Sequence, residues 1–226
     1  MLSGRLKAIV SMVPESETVA DIGCDHGKVA VWLLKNGKAK FAVCSDISAP
    51  SLEKARKLAA SNGFENKVSL RVGNGFDVLQ KGEAQTAVIA GMGAELMITI
   101  LGQGGDKLPG TLVLSCHRDT QVLRKWLSEN SYRIEDEELM FENRHYYPVI
   151  LASRGEARTL TDVELEFGPV LLEKKPVLLK SYVRYKVSQT QAVREKLIKS
   201  KSTKRDELLG ELDARLRMYA EVEECL

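Results

Sequence analysis

The residues of this chain best suited to chemistry are carboxylates set among glycines. Asp21-Ile-Gly23-Cys-Asp25-His26-Gly27 follows the apolar pair Val19-Ala20. Glycine at such a bend lets backbone approach a ligand and frees N–H groups at a helix start. A dinucleotide fingerprint would read GxGxxG at this place, but Asp25 stands where the middle glycine should be. A carboxylate beside a pyrophosphate is costly unless it is neutralised. Beside the ammonium of a methionine moiety the same charge is favourable. The bend therefore points to S-adenosylmethionine and away from NAD.

Three further turns fit that donor. Asp46, with Ile47 next to it, ends a second apolar run 23 residues beyond Gly23, where a carboxylate accepts both ribose hydroxyls of an adenosine. Gly73-Asn74-Gly75 supplies an asparagine for the adenine edge and glycines that leave room for the ring. Ala90-Gly91-Met92-Gly93 would line the reactive face. Each alone reads equally as an ordinary turn at a strand end; four at successive strand ends face one crevice. Beside the reacting centre the candidates are Asp25, His26 and His117. The alternatives are that Asp25 recognises only the ammonium, that His26 caps the following helix, and that His117 is a surface-loop histidine. No residue pattern fixes a general base.

The elements that must position these turns alternate. Leu6, Ile9, Val10 and Val13 recur at helical spacing over 3–12, and Pro14 stops them. Strands are expected near 19–23, 41–46, 68–72, 86–90 and 111–116, with helices near 28–36, 49–62, 95–101 and 119–129. Gly63 ends the 49–62 helix. Two last extended runs, 132–139 and 147–153, have no helix between them. The alternation predicts an α/β fold with a mostly parallel seven-stranded sheet. An antiparallel hairpin at its edge is the ending typical of class I Rossmann-like methyltransferases. Residues 1–155 are expected to form this donor-binding domain and 156–226 a helical one.

Composition narrows the setting. The 226 residues suffice for a sizeable core, and 33 basic against 31 acidic residues predict no partner from the sum. Cys24, Cys44, Cys116 and Cys225 lack zinc-like or CxxC spacing, which suits reduced thiols in a cytoplasmic protein with no metal. The N-terminal segment lacks the apolar core of a signal peptide, and no apolar run reaches the ~20 residues of a membrane helix.

Charge distribution says more than net charge. Residues 174–205 carry eleven Lys/Arg against Glu195 alone, whereas 206–226 carry seven acids against Arg215 and Arg217. Two apolar stripes, from Leu178 to Leu197 and from Leu208 to Val222, predict paired helices in an antiparallel coiled-coil hairpin, with Thr203 capping the second. The seam could pair within one chain or between two, as monomer or homodimer. Attraction between the helices explains part of the charge pattern. Basic density at the tip (Lys199, Lys201, Lys204, Arg205) exceeds it and suits a phosphate backbone. Arg5, Lys7, Arg118, Arg124 and Arg144 are expected to extend the track.

With these motifs assembled, the chain resembles the TrmK family, bacterial tRNA (adenine-22-N1)-methyltransferases. The likeness rests on Ser3-Gly4-Arg5-Leu6, Asp21 to His26, Ala90 to Gly93, Tyr147, Phe167-Gly168-Pro169 and the helical pair. It implies methyl transfer from S-adenosylmethionine to N1 of an adenine in the tRNA D-arm, no metal, and a helical domain that helps hold tRNA. Tyr147 would stack on the flipped adenine or fill the core. Ser115-Cys116-His117 departs from the family's usual Gln-Pro-Asn, and Ala94 and Pro148 are milder departures. Methylation of another RNA site, or a non-catalytic RNA-binding relative, remain alternatives.

Overall fold

The computed structural model describes residues 2–200 and 203–226; the expectation for Lys201 lies outside the described residues. Seven strands form one sheet: β1 (Ser16–Ile22), β2 (Ala39–Asp46), β3 (Val68–Val72), β4 (Thr86–Ala90), β5 (Thr111–Ser115), β6 (Tyr132–Glu142) and β7 (His145–Arg154). Their order is β3-β2-β1-β4-β5-β7-β6. The four pairings that join β3, β2, β1, β4 and β5 are parallel, and β7 runs antiparallel to both β5 and β6. The central strands are apolar on both sides because helices cover both faces. Ala87, Val88, Ile89, Leu112, Val113 and Leu114 are all fully buried.

Five helices do the covering: α1 (Gly4–Met12), α2 (Lys28–Lys35), α3 (Ala49–Ser61), α4 (Ala94–Gly104) and α5 (Thr120–Glu129). Ser3 caps α1, accepting from the Leu6 N–H. At the other end Lys38 Nζ donates to the carbonyls of Val10, Ser11 and Val13 at 3.2, 2.6 and 2.7 Å, a charge suited to a helix C-terminus. The Gly4 N–H donates to Glu142 Oε1 at 3.0 Å, so the start of α1 is pinned to the end of β6. The β6–β7 turn places Asn143 and Arg144 at positive φ, as a tight two-residue hairpin requires.

The strand and helix positions expected from the sequence recur with shifts of up to three residues, as at the start of β1 and the ends of α4 and β6. Two short helices were not expected, α6 (Asp162–Phe167) and α7 (Pro169–Lys174). Thr161 and Glu164 form a capping box for α6. Gly168 joins the two helices at φ +97°, and a side chain there would strike the Glu137 carboxylate. Pro169 then opens α7.

Through this junction the C-terminal region docks on β6. Arg124 on α5 pairs with Glu137 on β6 at 2.8 Å with both side chains fully buried. Arg124 also donates to the carbonyls of Leu165 and Glu166, while Glu137 accepts from the Val170 and Leu171 N–H groups. Arg124 is therefore removed from the expected RNA track: it is a buried tie between α5, β6 and the α6–α7 junction.

Helices α8 (Val177–Ile198) and α9 (Arg205–Glu224) complete the chain. Arg184 meets Glu223 and Arg194 meets Asp213, each at 2.6 Å, so the two helices run antiparallel within one chain. Leu139, Phe167, Leu171, Leu179, Tyr182, Tyr219 and Val222 share a core at the base of the pair. Farther out Val193 and Leu208 are exposed. The N-cap position of α9 is taken by Lys204, not Thr203.

Candidate active site

In an open parallel sheet, ligands bind beyond the strand C-termini where the strand order reverses. Here that reversal falls between β1 and β4. The bend after β1 is built by three left-handed residues, Gly23, Asp25 and Gly27, at φ +70°, +48° and +64°. A Cβ on Gly27 would lie 2.8 Å from that of Ala55, and one on Gly23 would lie 2.8 Å from Met92 Cε. Gly27 thus lets α2 approach α3. Gly23 lets the turn after β4 lean across the crevice.

Backbone ties fix the bend against β2. The Asp25 N–H donates to Asp46 Oδ2 at 3.0 Å and the Ser48 N–H to Oδ1 at 2.8 Å. Each carboxylate oxygen of Asp46 keeps a second lone pair for a hydroxyl. Ile47 beside it is 77% exposed, an apolar side chain that the fold leaves uncovered at the crevice rim. Asp21 is buried, with Oδ2 lacking any partner. Burial pushes its carboxyl up to about 7, and the nearby charges of Asp46 and Asp25 add to this. Asp25, exposed, holds His26 Nδ1 at 3.1 Å. His26 is not a helix cap, since Gly27 occupies that position without a side-chain bond.

The turn after β3 is only partly as expected. Asn74 is exposed, and its Nδ2 donates to Gln103 Oε1 at 3.2 Å. Gly75 does not make room for a ring: a Cβ there would lie 2.7 Å from Ile100 Cγ2, and its carbonyl accepts from Ser45 Oγ. It serves the packing of α4 against the sheet.

A second cluster forms at the tips of β4, β5 and β7. The Gly91 N–H donates to the Ser115 carbonyl and the His117 N–H to the Met92 carbonyl, at 3.2 and 3.1 Å. Gly91, at φ +87°, has Arg5 Nη2 and His117 Nε2 about 4 Å from where a side chain would begin. The Arg5 guanidinium lies 5.0 Å from the Tyr147 ring centre, a cation–π distance. His117 meets the same ring edge-on at 5.8 Å, and His145 does so at 6.4 Å. Arg5 Nη1 is buried and unpartnered.

The structure thus sorts the expected residues into groups. Asp21, Gly23, Asp25, His26 and Asp46 gather at β1–β2, and Arg5, Gly91, His117 and Tyr147 at β4–β5–β7, with Met92 reaching between. Lys199, Lys204 and Arg205 lie at the end of the helical pair, away from both. Gln103, Glu142 and His145 were not expected. Only His145 carried a signal, by its period-two relation to Tyr147 on one strand face.

The sheet order, the reversed β7 and the crevice at the reversal point define a class I Rossmann-like methyltransferase domain. Residues 19–217 match the model of the family described as TrmK, tRNA (adenine(22)-N(1))-methyltransferase. The chain belongs to this family. It is 31% identical to the tRNA (adenine(22)-N(1))-methyltransferase of Bacillus subtilis, over 98% of this chain and 96% of that one. The crystal structure of the B. subtilis M1A22 tRNA methyltransferase TrmK superposes with a TM-score of 0.90 at 28% identity, covering 99% of both chains. A Streptococcus pneumoniae protein solved in complex with S-adenosyl-L-methionine, described as a putative tRNA (m1A22) methyltransferase, has the same fold. Its TM-score is 0.88 at 23% identity, over 99% of this chain and all of that one.

Among the described residues no helix is long and apolar enough to cross a membrane, and no group of acidic, histidine or cysteine side chains could hold a metal ion. Cys24, Cys44 and Cys116 are buried free thiols, and Cys225 is exposed and free.

Proposed function

We propose that this protein transfers the methyl group of S-adenosylmethionine to N1 of adenine 22 in tRNA, in the cytoplasm. The observation that carries the reading is the acidic bend at the switch point facing the Arg5–His117–Tyr147 cluster across Met92. The donor fits the residues present. Asp21 Oδ2 lacks a partner, Asp25 adds a second carboxylate, Asp46 keeps lone pairs for two ribose hydroxyls, and Gly23 and Gly91 bring bare backbone to the crevice.

When bound, the donor supplies an electrophilic methyl on a positively charged sulfur, so the protein's main task is in-line positioning. Asp21 and Asp25 bind the cationic amino-acid end. Asp46 binds the ribose, and Ile47 and Asn74 border the adenine. Gly91 and Met92 shape the path to the methyl. N1 lies on the Watson–Crick edge, so the target adenine must leave its stack. Tyr147, held between Arg5 and His117, offers that base a ring face. Asp25, His26 and His117 are the side chains we assign to the reacting end. A carbonyl or carboxylate accepting from the N6 amino group raises electron density at N1.

Residues 1–155 hold the donor and the reacting base. Residues 156–226, joined to them by the shared core on β6, carry the RNA limb, whose contacts we assign to Lys199, Lys201, Lys204 and Arg205. The test is incubation of a tRNA mixture with enzyme and donor, followed by nucleoside mass spectrometry and mapping. The expected product is 1-methyladenosine at position 22. A methyl group at another site would point to the Ser115-Cys116-His117 segment as the cause of altered choice. Donor binding without turnover on any RNA would overturn catalysis.

A further inference from the structure

Beyond the target base, we propose a second base-binding subsite, one that takes the nucleotide next to the methylated adenine. This inference rests on the function proposed above and deepens it. The site is a cavity of about 150 Å³ between the start of β7, the turn after β5 and one face of α8. It is bordered by His117, Arg118, His145, Tyr146, Tyr185 and Gln189. His117 and His145 also touch Tyr147, so the cavity is continuous with the target-base cluster and opens one side chain away from it.

Its walls have the chemistry of single-stranded RNA recognition. Tyr146 and Tyr185 are half-buried and in contact, with ring centres 5.3 Å apart and planes tilted by 48°, an aromatic wall on whose open side a planar base can stack. Tyr182 closes its floor, 5.2 Å from Tyr146. Bases splayed from a helix stack on such rings and are read by side-chain hydrogen bonds. Arg118 and Gln189 are exposed, and among the described residues neither side chain makes a hydrogen bond or ion pair. One suits a phosphate and the other a base edge. Lys186 is not available in the same way, because it pairs with Glu166 at 2.6 Å. Asp119 also reaches the rim and disfavours a second phosphate there. One base with one phosphate is what the walls accept. A target adenine extruded toward Tyr147 drags its neighbour past this opening.

The experiment places 2-aminopurine on either side of the target adenine in a tRNA transcript. Binding is followed with S-adenosylhomocysteine present, which blocks turnover. One flank is expected to lose fluorescence as it stacks, and Tyr185→Leu to restore it. In steady state Tyr185→Leu raises KM for tRNA about tenfold, the size of one base–aromatic stack, and leaves kcat and donor affinity unchanged. Gln189→Ala changes an exposed side chain that makes no hydrogen bond among the described residues, and raises KM severalfold, which keeps the test valid should Tyr185→Leu not fold. An abasic nucleotide at the responding flank costs the wild type about tenfold and Tyr185→Leu nothing further. Methylation by the wild type with both flanks silent, or an equal abasic cost in both proteins, overturns the subsite alone. Absence of methylation by the wild type overturns the subsite and the function together.

Discussion

At the tips of β1 and β2, Asp21, Asp25 and Asp46 crowd together, and His26 is the sole basic side chain paired with any of them among the described residues. Across the C-terminal region the arrangement is the opposite. Arg124 faces Glu137, Lys186 faces Glu166, Arg184 faces Glu223 and Arg194 faces Asp213, each within 2.8 Å. Like charges left together raise the energy of the free protein and are relieved by a cation. Paired charges are satisfied already and hold elements in place. The first region is the one we propose binds the donor, and the second is scaffold at least as far out as Arg194 and Asp213.

The strongest way to break that distinction is to remove a scaffold charge. Arg124→Met leaves Glu137 buried and uncompensated, which costs about 3–5 kcal/mol. In a chain of this size that lowers Tm by roughly 6–20 °C. Thermal unfolding followed by circular dichroism measures it. Replacing both partners, Arg124→Met with Glu137→Leu, is expected to recover part of the loss. Recovery is incomplete because Glu137 also accepts from Val170 and Leu171.

Removing a site charge acts on the ligand instead. Asp46→Ala takes away the acceptor for the Asp25 and Ser48 N–H groups and the ribose contacts. Hydrogen bonds to charged groups contribute about 1.5–3 kcal/mol, so donor affinity falls about 10- to 100-fold by calorimetry, while Tm moves little. A collapse in Tm with unchanged affinity would assign Asp46 to the scaffold.

Asp21 sharpens the comparison through pH. Burial pushes its carboxyl in the folded protein up to about 7, well above the usual carboxylate range. The folded protein therefore holds a proton that the unfolded chain releases earlier, and stability conferred by this group falls as pH rises from about 4 to 7. A cationic ligand favours the ionised form, so binding below pH 7 expels that proton. Donor affinity is expected to rise about tenfold between about pH 5.5 and 7, and Asp21→Asn to flatten the profile. An unchanged slope in the variant would remove Asp21 from the donor site.

Much of this was legible in the residues. Short apolar or extended runs ending at turns located every strand, the central ones because strands covered on both faces need continuous apolar sequence. The Asp21–Gly27 bend was readable because glycine and aspartate are the types that accept left-handed backbone. Helices α6 and α7 were hidden: at six residues each they are too short for a periodic stripe, and Glu137 supports them from far along the chain. Arg124 looked like part of a basic surface because sequence does not show what a charge faces. Gly75 looked like space for a ligand and is space for Ile100, a distinction that only the packing of α4 makes.

The smallest effect tests where scaffold ends and binding surface begins on the helical pair. Arg184 sits near its base, bonded to Glu223, whereas Lys199 stands at its far end, exposed and in no ion pair among the described residues. Exposed pairs contribute roughly 0–1 kcal/mol, so Arg184→Ala is expected to shift Tm by a few degrees at most and to leave tRNA affinity alone. Lys199→Ala should do the reverse. It leaves Tm unchanged, weakens tRNA binding about threefold at low salt, and reduces the dependence of log affinity on log salt by about one phosphate contact. Gel-shift titrations at several salt concentrations, alongside calorimetry with the donor, separate the two. Equal loss of tRNA affinity in both variants would mean that the paired base of the hairpin also touches RNA, and the division between satisfied and waiting charges would have to be drawn closer to the sheet.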